Sequence, residues 1–348
     1  MKEARSRMGV RMLLCIVLLA GCSAAPSRQG QEALSSPLVW PPPPELARII
    51  YEGAIERPDD VGPKKGIFRR AVEFVLGKTA DRILKPHGIA IDSNERLIVA
   101  DTVFKRLHIF DRKTGKYTWI DEFKNGGFIS PIGVAVDRDD NIYVSEPELD
   151  KVIVFSKKGN FLFEIKDNLH RPTGIAINKN EGLLYVVNTG GHNLSVHELN
   201  GKYLYTFGER GRETGRFNYP TDIHIDNQGF IYVTDSMNFR IQIFDKNRRF
   251  FSAFGSHGDG SGSFARPKGL SVDSEGHIYV VDSLFDAVQI FDREGRFLLS
   301  FGSSGQGKGK FWLPSGIFVD NSDRIYVSDS FNKRVQIFKY LKEEGSPL

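Results

Sequence analysis

The sequence predicts an all-β fold built from repeated units, and three observations carry that prediction. The stretch 267–291, PKGLSVDSEGHIYVVDSLFDAVQIF, reads as three short strands separated by the turn residues Asp273, Ser274, Glu275 and Gly276 and then by Asp282 and Ser283. Related stretches begin at Pro86, Pro131, Pro172, Pro220, Pro267 and Pro314, and two residues later each carries Gly88, Gly133, Gly174, Asp222, Gly269 or Gly316. The spacings are 45, 41, 48, 47 and 47 residues. A steady period of about 40 to 50 residues built from short strands marks a β-propeller, one four-stranded antiparallel blade per repeat, so six copies predict six blades. A single blade is apolar on both faces and is stable only when stacked against its neighbours around a central axis.

The elements follow in chain order. Residues 1–21 read as an export signal, with a charged start followed by the apolar run 12–20, which is too short to span a bilayer. Lys2, Arg5, Arg7 and Arg11 against Glu3 put a net +3 there, so of the formal charge of +4 only +1 belongs to the rest of the chain. Nucleic acid is therefore not an expected partner. The signal ends in Leu19, Ala20, Gly21 and Cys22, which resembles the lipobox of bacterial lipoproteins. The resemblance implies cleavage before Cys22, acylation of that residue and a membrane anchor; with Ser23 next, it implies the outer membrane in a diderm host. The two cysteines are Cys15, inside the signal, and Cys22, so the mature chain has no disulfide to form. Residues 22–46, rich in Ala, Ser, Gln and Pro, read as a lipidated Cys and a tether with a polyproline stretch at Pro41, Pro42, Pro43 and Pro44.

The propeller is expected over 47–341, with a tail at 342–348. The sixth copy stops one strand short, whereas 47–55, ARIIYEGAI, is a strand without a blade. Pairing the two closes the ring and removes exposed sheet edges. Between that strand and blade one, the insertion 56–84 contains GIFRRAVEFVLG, whose apolar residues recur at helical spacing, so a short helix is expected there.

The pattern Pro-x-Gly-apolar-x-apolar-Asp, Ile-Tyr-Val-x-Asp-Ser, Arg-x-Gln-Ile-Phe is fullest in IYVTDSMNFRIQIFD (231–245) and IYVSDSFNKRVQIF (325–338), and it resembles the NHL repeat. That resemblance implies a six-bladed propeller and no single chemistry. An acidic position recurs as Asp101, Glu146, Asn188, Asp235, Asp282 and Asp329, and five residues later stand Arg106, Lys151, Asn193, Arg240, Ala287 and Arg334. Recurrence marks these residues as a hairpin brace. The loop FGSSGQGKGKFWLP from Phe301 imitates a phosphate-binding loop, but its sister loops from Phe207 and Phe254 identify it as repeat architecture.

Candidate function lies where copies differ. No G-x-S-x-G elbow occurs, and no Cys remains for nucleophilic work. Blade four places Asp222 and His224 two residues apart on an innermost strand, a pair suited to acid–base chemistry or to ligating a divalent metal. His87 and Lys268 occupy the variable position after the proline, at the ring mouth. The expected function is a lipid-anchored module of the cell envelope that binds a protein, peptide or glycan without catalysis or cofactor. The alternative is a metal-dependent lyase or lactonase-type hydrolase using the channel residues.

Overall fold

Apolar, β-branched and aromatic runs of about five residues, cut by Asp-, Gly- and Ser-rich turns, leave the chain few options besides short strands buried on both faces. The structure, a computed structural model, describes residues 37–61, 81–124 and 126–342. It is the six-bladed propeller the repeats predict. Each blade is an antiparallel sheet, and in blades one to five the strands run outward in sequence order from the central channel. Blade one comprises Pro86–Ile91, Arg96–Asp101, Arg106–Asp111 and Tyr117–Ile120. Blades two to five repeat this plan from the innermost strands Val134–Val136, Pro172–Asn178, Asp222–Ile225 and Pro267–Val272. A two-stranded hairpin, Glu122–Phe123 with Gly126–Gly127, sits between blades one and two.

Blade six takes Ile317–Val319, Arg324–Asp329 and Arg334–Tyr340 from the C-terminal part of the chain and Ile49–Ile55 from the N-terminal part, as expected. Val39–Trp40 then adds a further strand outside it, so strand pairing begins ahead of the 46/47 boundary read from the sequence. Trp40 explains why. Its ring packs on Phe301 and Phe338, with centroids 5.9 and 5.7 Å apart, which draws part of the proline-rich segment onto the propeller. The helix expected over 66–77 lies outside the described residues; Pro58–Asp60 form a single 3-10 turn.

The motif residues are structural. In the Ile-Tyr-Val strands, Tyr143, Tyr232, Tyr279 and Tyr326 are buried between blades, and their hydroxyls donate to Asp137, Asp226, Asp273 and Asp320 in the preceding turn at 3.3, 2.9, 2.9 and 3.0 Å. The second acidic position holds the inter-blade loops: Asp282 accepts from the N–H groups of Ala265 and Arg266, and Asp329 from that of Trp312.

The brace is narrower than the sequence comparison implied. Arg240 and Arg334 do pair with Asp235 and Asp329 at 2.8 Å. Arg106 turns instead to Asp81, Lys151 to Glu164 on its neighbouring strand, and Asp101 meets the buried His108. The glutamine of Arg-x-Gln completes the device. Gln336 donates to Lys310 O at 2.6 Å and to Asp329 at 2.9 Å, and accepts from Gly309 N–H at 2.9 Å. Gln336→Ala leaves the buried Gly309 N–H without its acceptor and takes one donor from Lys310 O and from Asp329, which keep Arg334, so an expected loss of about 1–3 kcal/mol should appear as a lower melting temperature.

The three sister loops are indeed one design. Each closes a parallel bridge, Arg210 to Phe217, His257 to Phe264 and Ser304 to Phe311, around a fully buried phenylalanine. Gly302 makes the turn at φ +89°, where an added Cβ would lie 2.3 Å from the Phe311 ring. No helix follows the third loop, so it has no phosphate-binding geometry.

Candidate functional site

All innermost strands start on the same face of the ring, so equivalent residues form tiers around the channel. The second tier is where blades approach most closely. Gly88, Gly174 and Gly269 donate their N–H groups to Ile132 O, Thr221 O and Ser315 O of the next blade at 2.9, 3.0 and 3.0 Å. A Cβ on Gly174 would lie 2.5 Å from Asp222 Cα, so the tier admits a side chain only where the contact is reshaped. Blade four reshapes it. Asp222 turns its carboxylate to the next blade and accepts the Leu270 N–H at 3.0 Å.

The tiers enclose a cavity of about 320 Å³, lined by His87, Asp222, His224 and Lys268 among largely aliphatic neighbours. All four side chains are half-buried because they touch this space, but the space is narrow and solvates charge poorly. Burial therefore governs their ionisation. It pushes the Asp222 carboxyl up to about 7, against the opposing hydrogen bonds from Leu270 and Ile223 N–H. His224 is lowered to about 4 by burial, which outweighs the pull of Asp226. His87 is lowered to about 3 by burial, with Lys268 and Lys85 adding repulsion. Lys268 is lowered to about 8 by burial, then by Arg266 and Lys85.

The sequence expected Asp222 and His224 to act together, but the structure separates their roles. Asp222 is engaged with blade five, whereas the His224 ring sits edge-on to Tyr232 at 6.3 Å, with no hydrogen bond joining it to Asp222. Sharing a strand face is not enough when one of the two side chains is drawn sideways into the neighbouring blade. Among the described residues no group of three or more His, Cys, Asp or Glu side chains is placed to hold a metal ion. Two donors, one already bonded to a backbone N–H, do not fit a protein-held divalent metal. His87 and Lys268 are near enough to repel, at the same mouth. A space of about 700 Å³ beside Arg57, Asp81 and Arg106 is larger, but it is flanked in sequence by residues 62–80, outside the described set.

The loop-bearing face around that mouth carries residues that sequence comparison missed. Two positions after the acidic residue that ends the second strand, Val103, Met237, Leu284 and Phe331 project from blades one, four, five and six. Just before the innermost strands, Ile129, Tyr219 and Trp312 join them, and all seven are 42 to 56% exposed. Blades two and three interrupt the ring with Glu148 and Gly190. The available signal was an apolar residue recurring inside a loop, where packing does not require one. Trp312 and Phe331 touch, with centroids 5.6 Å apart, and Lys85 Nζ lies 5.4 Å from the Phe331 ring.

A family model described as a 6-bladed beta-propeller matches residues 227–285 and 273–346. A search of curated protein sequences returns no match. Among solved structures, virginiamycin B lyase from Staphylococcus aureus is similar at 14% identity and a TM-score of 0.55, over 74% of this chain and 95% of that one. Hydrazine synthase of Kuenenia stuttgartiensis is similar at 14% identity and 0.55, over 75% and 97%. A protein of unknown function from Bacteroides thetaiotaomicron is similar at 17% and 0.58, over 84% and 75%. At such identities the likeness is one of architecture. The chain is a six-bladed β-propeller.

Proposed function

We propose that this protein is a lipid-anchored, extracytoplasmic binding module that docks a partner protein on the loop-bearing face of its propeller and performs no chemistry on it. The observation that carries this reading is the broken ring of exposed apolar side chains around one channel mouth. Scattered surface apolar residues need no explanation, but a set repeated at equivalent positions on one face marks an interaction surface. The NHL-like repeats and the lipobox-like Leu19–Cys22 stretch support a tethered envelope protein, with Cys22 as the acylated residue and 23–36 as spacer.

The test is a photo-crosslinking residue placed at Leu284 in the full lipidated chain, compared with one at Leu298, exposed on an outer strand. Crosslinking to one defined protein is expected at Leu284, absent at Leu298, and lost in Met237→Ser/Phe331→Ser at unchanged melting temperature. Equal crosslinking at both positions, or none at Leu284 in intact cells, removes the reading.

A lyase or hydrolase working in the channel is the second reading. It is favoured by His87 and His224, whose imidazoles line the cavity with no hydrogen-bond partner among the described residues. Turnover of a lactone or ester by purified protein, lost in His224→Ala at unchanged melting temperature, would establish it over the first.

A further inference from the structure

We infer that the docking segment of the partner is acidic, and that its carboxylate is held by Lys85, Arg266 and Lys268 while its apolar side chains rest on Leu284, Trp312 and Phe331. The inference rests on the docking reading above and names the chemistry of the partner. Among the described residues none of these three cations has a carboxylate within ion-pair distance. Arg96, Arg240, Arg324 and Arg334, by contrast, are each ion-paired within the chain. The three also gather in one sector: Lys85 and Arg266 each depress Lys268, and Lys85 and Lys268 together depress His87. Like charges held together without a counter-ion repel one another, and an incoming anion relieves that repulsion.

The same sector carries the apolar contact. Lys85 and Arg266 directly precede the innermost strands of blades one and five, and Leu284, Trp312 and Phe331 belong to the loops of blades five and six beside them. Lys85 lies against the Phe331 ring, so charge and apolar surface are contiguous. Electrostatic complementarity then supplies the rate and selectivity of docking, and the aromatic pair supplies burial.

A polypeptide fits better than a membrane surface for a geometric reason. Lys85 and Arg266 are exposed at the rim, but Lys268 lines the channel cavity and is half-buried. A flat layer of lipid headgroups does not reach a recessed ammonium. A protruding carboxylate does, either an Asp or Glu side chain or a chain terminus.

The experiment measures fluorescence anisotropy of a labelled peptide of alternating Glu, Leu and Phe added to the full chain in detergent. Binding is expected, weakening as salt rises, and weakened about tenfold by Lys268→Gln, with Lys85→Gln/Arg266→Gln weakening it further. Lys268→Arg should restore it, which a merely structural role for the lysine would not. Amidating the peptide's C-terminus separates the sources: unchanged binding assigns the carboxylate to side chains, and lost binding assigns it to the terminus. Equal binding of a Lys, Leu and Phe peptide, or no effect of Lys268→Gln, overturns the inference. So does binding to phosphatidylglycerol vesicles that outcompetes the acidic peptide. Crosslinking at Leu284 that survives the three cation substitutions also overturns it, while leaving the docking reading intact.

Discussion

Removal of residues 47–55 is expected to abolish folding rather than trim the molecule. The strand Ile49–Ile55 pairs along nearly all of Arg334–Tyr340, from Ile49 opposite Tyr340 to Ile55 opposite Val335. Ile49 and Ile55 are buried, Tyr51 packs on Phe338 at 5.5 Å, and Glu52 pairs with Arg324 at 2.9 Å. Losing two or three such side chains from the core costs about 1.5–3 kcal/mol each, together a large part of the roughly 5–15 kcal/mol that holds an ordinary domain. The deletion also leaves Arg334–Tyr340 as an unpaired edge, open to pairing with another chain. Loss of soluble protein, or loss of the cooperative thermal transition by circular dichroism, is the expected outcome. A truncated chain that melts like the full one would mean that the ring does not depend on this strand. A permuted chain tests the same point from the other side. Leu341 N–H donates to Arg48 O at 2.8 Å, so joining 342 to 47 makes a short hairpin in blade six. That permutant should keep a cooperative transition.

The second large effect concerns Asp222. Its carboxyl is raised from an ordinary 3.8 to about 7 in the folded chain, so folding favours the protonated acid. Its stabilising contribution is complete below pH 4, falls as pH rises, and is gone above about 7. By linkage the swing is at most about 4 kcal/mol. Asp222→Asn keeps an oxygen to accept the Leu270 N–H and never ionises. It should match the parent near pH 4 and be the more stable of the two at pH 8.

His87 and His224 act in the opposite sense. Their folded values lie below the unfolded one, so their contribution is present above pH 6.5 and is lost as pH falls toward about 4 and about 3. Between pH 4 and 6.5 the single carboxyl opposes the two histidines, so the parent should gain stability about half as steeply with pH as the substituted chain and reach its optimum just below neutrality. The substituted chain should rise to a plateau above pH 6.5. Urea unfolding at acid, neutral and alkaline pH checks this, and an asparagine variant less stable than the parent at pH 8 would contradict it.

The blades, their number and the missing strand were legible because periodicity is a property of the chain itself. Each proline-led copy must make the same strands, and an odd strand at each end has only the other to pair with. Asp273, Asp282 and Gln289 could likewise be set aside as scaffold before any coordinates. The structure gives each a turn or loop to hold: Asp273 accepts from Glu275 and His277 N–H, and Gln289 donates to Ser263 O at 2.8 Å.

Lateral relations were not legible. That Asp222 reaches Leu270 rather than His224, that Arg106 prefers Asp81 to Asp101, and that Trp40 lies on Phe301 all depend on contacts that reach outside a single repeat. The loop-face ring belongs to the same class. Val103, Met237, Leu284 and Phe331 are single apolar residues in polar loops, and only closure of six blades around one axis gathers them on one face. Local chemistry along a strand therefore determined which residues form blades, brace loops and line the channel of this protein. Its side-chain partners and its exposed face were decided by tertiary structure, because burial and pairing between blades are set by neighbours that are often about one repeat apart, or at opposite ends of the chain.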